Sequence, residues 1–156
     1  MAIAEVRSFF RQFGMEDRVM ELEASSATVD LAAQALGCEP GRIAKTLSFL
    51  VHEQPILILT AGDEKIDNKK YKTHFGVKAR MLTPEEVLTL VGHPVGGVCP
   101  FAVHEGVTVY LDVSLQRFQT VFPACGSGNS AIELTPEELA RYSNAVEWVD
   151  VCRDRA

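Results

Sequence analysis

Two apolar, β-rich runs, residues 45–51 and 56–60, are separated only by the short stretch 52–55. Runs of this length and composition read as strands, and so short a break leaves them adjacent and antiparallel in a hairpin. A hairpin is marginal alone and needs further strands or a helix to cover its faces. Further short strands are expected at 19–22, 107–111, 120–122, 131–133 and 147–151. Helices are expected from three signals. Val6, Phe9, Phe10 and Phe13 follow the i, i+3, i+4, i+7 spacing of a helix with one buried face, and Gly14 can end it. Residues 28–36 carry Thr28 as N-cap and Gly37 as stop, and 67–74 is helical. Thr83-Pro84-Glu85-Glu86 and Thr135-Pro136-Glu137-Glu138 are two capping boxes with proline at the first helical position, opening helices over 84–91 and 136–143. Strands outnumber helices. The pattern predicts an α+β fold, an open mixed-sheet barrel surrounded by helices, rather than a doubly wound parallel sheet. No linker, repeat or low-complexity tract interrupts 1–156, so a single domain is expected.

Composition narrows the function classes. The formal net charge is −6, from 15 basic and 21 acidic residues, which argues against a general nucleic-acid binder. The charge is uneven, however. Lys65, Lys69, Lys70, Lys72, Lys78 and Arg80 face only Asp67 over residues 65–80. Such a patch on an acidic body suits one stretch of phosphates, or is simply a solvated helix face. Cys38, Cys99, Cys125 and Cys152 lie far apart without CxxC spacing, and His52, His74, His93 and His104 form no HxH or HExxH pattern. Neither a metal site nor a disulfide scaffold is expected, and no cofactor. The N-terminus lacks the parts of a signal peptide and no apolar run reaches membrane-spanning length, so a cytoplasmic location without membrane contact is expected.

Four segments can carry chemistry. The loop from Gly92 to Phe101, Gly-His-Pro-Val-Gly-Gly-Val-Cys-Pro-Phe, lets a ligand approach the main chain at Gly96 and Gly97. Its amides can hold a carbonyl oxygen that becomes negative during acyl transfer, although a tight turn between helix and strand explains it equally well. Lys45, at the start of an apolar strand, can bind phosphate or orient a polar group, or can simply reach solvent. Cys99 between His93 and His104 invites a thiol-nucleophile reading, but cysteine is also among the most buried residue types. Gly126-Ser127-Gly128-Asn129-Ser130-Ala131 matches GxGxxA, yet a strand rather than a helix follows it, so dinucleotide binding is excluded.

Taken in order, Ser25-Ser26-Ala27-Thr28, Ile43-Ala44-Lys45-Thr46-Leu47, Ala61-Gly62-Asp63, the lysines from Lys69 to Lys72, Gly96-Gly97-Val98-Cys99-Pro100 and the Gly/Ser loop before Ile132-Glu133-Leu134 make the chain resemble the YbaK/prolyl-tRNA-synthetase-associated domain family. The resemblance spans about residues 19–151 and implies a mixed open barrel that hydrolyses the ester joining a wrong amino acid to the 3′ end of a tRNA. A small amino acid such as cysteine, alanine or serine on tRNA for proline is the expected substrate. A free-standing protein acting on the acceptor end, in transient complex with prolyl-tRNA synthetase, is the expected setting. The resemblance makes Lys45, Gly96, Gly97 and Pro100 the catalytic set. It makes Ser26, Thr28, Thr46, Val98, Cys99, Cys125, Ser127 and Asn129 the lining of the aminoacyl pocket. Lys65, Lys69, Lys70 and Lys72 become candidate tRNA contacts. Cys125 stands where such pockets often hold serine. An activated ester needs mainly orientation and charge stabilisation, which fits the lack of a nucleophile–base pair. Two alternatives stay open: a non-catalytic tRNA- or synthetase-binding module, and a Cys99-dependent thiol hydrolase.

Overall fold

The computed structural model describes residues 2–154. The hairpin forms from β2 (Ile43–Val51) and β3 (Gln54–Ala61), antiparallel through eight consecutive residue pairs from Ala44↔Ala61 to Val51↔Gln54. Its turn residues His52 and Glu53 both adopt positive φ (47° and 69°), the twist that a two-residue hairpin turn requires. On the far side of β3 lie β4 (Thr108–Asp112) and β7 (Glu147–Val149), both in parallel register. On the outer side of β2, β5 (Phe122–Pro123) pairs in parallel over Ile43 and Ala44. The five-stranded mixed sheet, ordered β5-β2-β3-β4-β7, curls into a half-barrel. A second antiparallel pair, β1 (Val19–Glu21) and β6 (Ser130–Ile132), continues this curl, because Val121 and Leu134 exchange both main-chain bonds at 2.8 and 3.0 Å.

The uninterrupted run Ile56-Leu57-Ile58-Leu59 has a physical reason. Side chains alternate across a strand. Leu57 and Leu59 enter the main core with Val6 and Phe10 of α1 (Ala2–Arg11), while Ile56 and Ile58 pack on the opposite face with Phe49 and Tyr71. A strand covered on both faces needs no polar positions. Tyr71 belongs to α3 (Asn68–Phe75), whose N-cap Asp67 accepts from the amides of Lys69 and Lys70 at 2.9 and 3.0 Å. In α2 (Val29–Leu36), Thr28 caps the Leu31 amide at 3.2 Å and Gly37 ends the helix at φ +66°.

Both capping boxes form, at Thr83/Glu86 and Thr135/Glu138, and the second opens α5 (Pro136–Tyr142). The first departs from expectation. Only Pro84–Glu86 (α4) is α-helical, and Val87–Val91 winds into a wider π turn closed by the Gly92 amide on the Val87 carbonyl at 3.2 Å. A π turn displaces carbonyls from their usual donors. Here His104 takes them up: its amide meets the Val91 carbonyl at 3.0 Å and its ring Nδ1 the Thr89 carbonyl at 3.2 Å. The strands expected at 120–122 and 147–151 are also shortened. Val121 is drawn to Leu134, and beyond β7 the Val151 amide is captured by the Asp112 carboxylate at 2.9 Å. Among the described residues no helix is long and apolar enough to cross a membrane.

Candidate active site

Among the described residues, β2 is paired along its outer edge at both ends but not between. Ile43 and Ala44 pair with β5, while Leu50 bonds the Arg80 carbonyl at 2.9 Å and Ser48 accepts from the Leu82 amide at 3.2 Å. Beside the stretch left between these contacts lies a cavity of about 340 Å³. Its walls are the strand from Ala44 to Ser48, the segment 26–29, Met81, Leu82, Pro84 and Val87, and the loop residues Val95, Gly96 and Val98, with Ala124. Much of this lining is aliphatic, so the few polar groups stand out.

Lys45 is the cation of that lining. It is half-buried, and its Nζ donates to the Glu64 carbonyl. Burial pulls its pKa below the ordinary lysine value, against the opposing pull of Cys152, Asp63 and Glu64. Two lining hydroxyls, Ser26 Oγ and Thr46 Oγ1, are buried without a hydrogen-bond partner among the described residues. A buried hydroxyl without a partner costs free energy that a bound polar group can recover.

The loop wall is held by main chain. Gly97 N–H closes a turn on the Pro94 carbonyl at 3.0 Å, with Gly96 at φ +93° in the position that favours glycine. That amide is committed to the turn, so the loop's remaining main chain near the cavity is at Gly96 and Val98. Gly97 also packs so tightly on the next loop that a Cβ there would sit 2.5 Å from Ser127 N. His93 Nε2 reaches the Phe101 carbonyl at 2.7 Å and staples the loop's two ends together. Burial pushes the His93 pKa down.

Several expected lining residues serve the walls from behind. Cys99 and Cys125 are fully buried in the main core and do not line the cavity. Burial pushes the Cys99 thiol up to about 12, which corrects the thiol-nucleophile reading: a thiol this buried stays protonated. Pro100 and Gly97 likewise sit behind the lining. Ser127 Oγ donates to Asn129 Oδ1 at 2.9 Å, and Asn129 Nδ2 donates to the Leu22 carbonyl at 3.0 Å. With Ser26 N on the Gly128 carbonyl at 2.7 Å, these bonds stitch the Gly/Ser loop to the 22–28 segment. Ser26, Thr28, Thr46 and Val98 do line the cavity with Lys45 and Gly96.

Of the basic stretch, Lys65 follows Glu64 close to Lys45, while Lys69, Lys70 and Lys72 lie on α3. Lys65, Lys69 and Lys72 are exposed, whereas Lys70 is held by Asp150 and Asp154 at 3.1 and 2.6 Å. Sequence reasoning missed the aliphatic lining at Val29, Leu47, Met81, Leu82, Val87 and Val95. Only the exposed apolar residues Met81 and Val95 hint at a cleft, and exposure is not legible in sequence.

The model of the family described as "Aminoacyl-tRNA editing domain" matches residues 23–142. An uncharacterised protein of Bacillus subtilis, YwhH, is 58% identical over 155 residues, covering 99% of both chains. EbsC of Enterococcus faecalis, a candidate Cys-tRNA(Pro)/Cys-tRNA(Cys) deacylase by its description, is 28% identical, covering 75% of this chain and 73% of its own. Proline–tRNA ligase of Streptococcus equi subsp. equi is 29% identical over 97% of this chain, which spans only 24% of the ligase. A solved structure described as a candidate trans-editing enzyme for prolyl-tRNA synthetase superposes with a TM-score of 0.88 at 32% identity, covering 98% of each chain.

Proposed function

The chain belongs to the aminoacyl-tRNA editing domain family, a family of ester-cleaving aminoacyl-tRNA deacylases, and on that premise we propose that it removes a small, wrongly attached amino acid from the 3′ end of tRNA for proline. One observation carries the reading: Lys45, two buried hydroxyls without partners among the described residues and the Gly96 turn converge on one cavity of about 340 Å³. Its size lies at the small end of ligand pockets, suited to an aminoacyl group and part of a ribose.

In this reading Lys45 holds the terminal nucleotide through its phosphate or ribose, as a compact point charge can. The amides of Gly96 and Val98 receive the ester carbonyl and stabilise its oxygen as it becomes negative. Thr46 and Ser26 hydroxyls meet the polar groups of the aminoacyl moiety. Water, directed by the neighbouring ribose 2′-OH, adds to the carbonyl carbon; the acyl–oxygen bond breaks, and the released ribose oxygen takes up a proton. Residues Gly97 and Pro100 shape the loop, while Cys99, Cys125, Ser127 and Asn129 brace it. Discrimination is steric, the logic of a second sieve that admits only small side chains. The exposed Lys65, Lys69 and Lys72 touch the acceptor stem, and Lys70 reaches it only by leaving its acidic partners. A passing encounter with prolyl-tRNA synthetase would deliver the mischarged tRNA.

The test charges tRNA for proline separately with alanine, cysteine, serine and proline and follows ester loss. Rapid loss of one or more small wrong esters, with the prolyl ester spared, is the expected result. A flat response across these and across tRNAs for alanine and threonine would reduce the chain to a binding module.

A further inference from the structure

Lys45 does not choose its own position. Lys45 lines the cavity and its ammonium is tied to the carbonyl of Glu64, so whatever fixes residues 61–64 also fixes where that charge lies. Arg117, on the 3-10 turn that follows β4, grips that segment from outside. Its guanidinium lies 2.5 Å from Asp63 Oδ1 and 3.6 Å from Glu64 Oε1. The guanidinium is itself located by a bond from Nε to the Ser114 carbonyl at 3.1 Å and by stacking on Phe118 at 4.7 Å. Ser114 completes the frame, accepting the Ala61 amide on its Oγ at 3.0 Å while its own amide bonds Asp112 at 2.9 Å. The main chain at Gly62 is closely packed: a Cβ added there would lie 2.2 Å from the Pro40 carbonyl.

We propose that Arg117 is a positioning residue for the reaction: by clamping Asp63 and Glu64 it holds the Glu64 carbonyl where it aims the Lys45 ammonium into the cavity. This inference rests on the deacylase reading for its activity readout, but the clamp is a claim about Lys45 alone. The Arg117–Asp63 pair, with side chains 30% and 32% exposed, contributes little to stability in itself. The charged and titratable groups around Lys45 are Asp63, Glu64 and Lys65 on the turn and Cys152 on the C-terminal segment. Among the described residues, Arg117 forms an ion pair with each of the two carboxylates.

The test pairs single-turnover deacylation with NMR of 13C-lysine-labelled protein, the Lys45 Cε signal being assigned by its loss in Lys45→Arg. In Arg117→Ala the kcat falls about tenfold with KM held within about twofold, the effect of misaiming rather than lost affinity. The Lys45 signal alone moves among the lysines, and its titration midpoint rises as a nearby cation disappears and the ammonium gains water. Arg117→Lys restores part of the rate. Asp63→Asn, which breaks the same ion pair with little change in shape, gives the same kcat loss and keeps the test open should Arg117→Ala fail to fold. An unmoved Lys45 signal and an unchanged kcat in these variants would overturn the clamp while leaving the deacylase reading intact. A wild type that cleaves none of the esters would overturn the deacylase reading, and the NMR arm would still judge the clamp.

Discussion

In the proposed site, one side of the cavity acts through side chains: Lys45 and Thr46 stand on β2, whose backbone is fixed by eight pairings with β3. The other side acts through main chain, at a turn shaped by Gly96 and pressed by Gly97 against the backbone of Ser127. The strand wall can lose a functional group without losing its shape, because the sheet holds the strand whatever that group is. The loop wall has no such separation. Any atom added to it moves the amides, the neighbouring loop and the packing beneath them together. Mutations on the two walls should therefore sort differently between activity and stability.

The largest expected effect is on the strand wall. Lys45→Ala should slow deacylation by about 100-fold, the scale of a lost electrostatic or orienting contact in a transition state. Its melting temperature should stay nearly constant, since burial already disfavours the lysine charge. Gly97→Ala should lose both properties. Its Cβ meets Ser127 main chain rather than a flexible side chain, so about 2 kcal/mol of stability goes with most of the activity, measurable by denaturant unfolding beside the deacylation assay. If the variant unfolded no more easily than wild type, the contrast between the walls would fail.

Smaller effects sharpen the comparison. Thr46→Val keeps the shape of the side chain and removes a buried hydroxyl that has no partner among the described residues, so activity should fall about fivefold while stability holds or rises. A loss of stability would mean that the hydroxyl serves the fold. On the loop wall, His93 staples Gly92–Phe101 in its neutral form, with its pKa held below the ordinary value. The unfolded chain binds that proton more readily. The His93 contribution is therefore complete above about pH 6.5 and is lost as pH falls towards the depressed folded value, at up to about 1.4 kcal/mol per pH unit. Melting curves at pH 7.5 and 5.5 should show this loss in wild type and a smaller one in His93→Gln. The least effect belongs to the surface: Lys69→Glu with Lys72→Glu should raise KM about threefold at low salt, and less as salt is added.

What the sequence disclosed follows the same division. Signals whose partners lie a few residues away were legible: both Thr-Pro-Glu-Glu boxes, the cap Thr28 with its stop Gly37, and the β2–β3 hairpin. Signals whose partners lie far along the chain were not. Nothing near Arg117 announces Asp63, 54 positions away, and nothing in Val87–Val91 announces that His104 will take up the carbonyls of a π turn. Cysteine types are ambiguous for another reason: a thiol between two histidines reads equally as nucleophile or core, and only the packing around Cys99 decides. Lys45 and the glycine-rich loop stood out from the residues themselves, and the family resemblance gave them their expected roles. The aliphatic half of the cavity became visible only when Met81, Leu82 and Val87 came together with β2.

The most direct test of the account is single-turnover deacylation of alanyl-tRNA for proline by wild type and Lys45→Ala, with thermal unfolding of both proteins in the same buffer. Wild type should lose the ester rapidly and the variant about 100-fold more slowly, with coincident melting curves. Equal rates in the two proteins, or a variant that is slow only because it has unfolded, would contradict the assignment of Lys45 and with it the strand wall as the chemical side of the cavity.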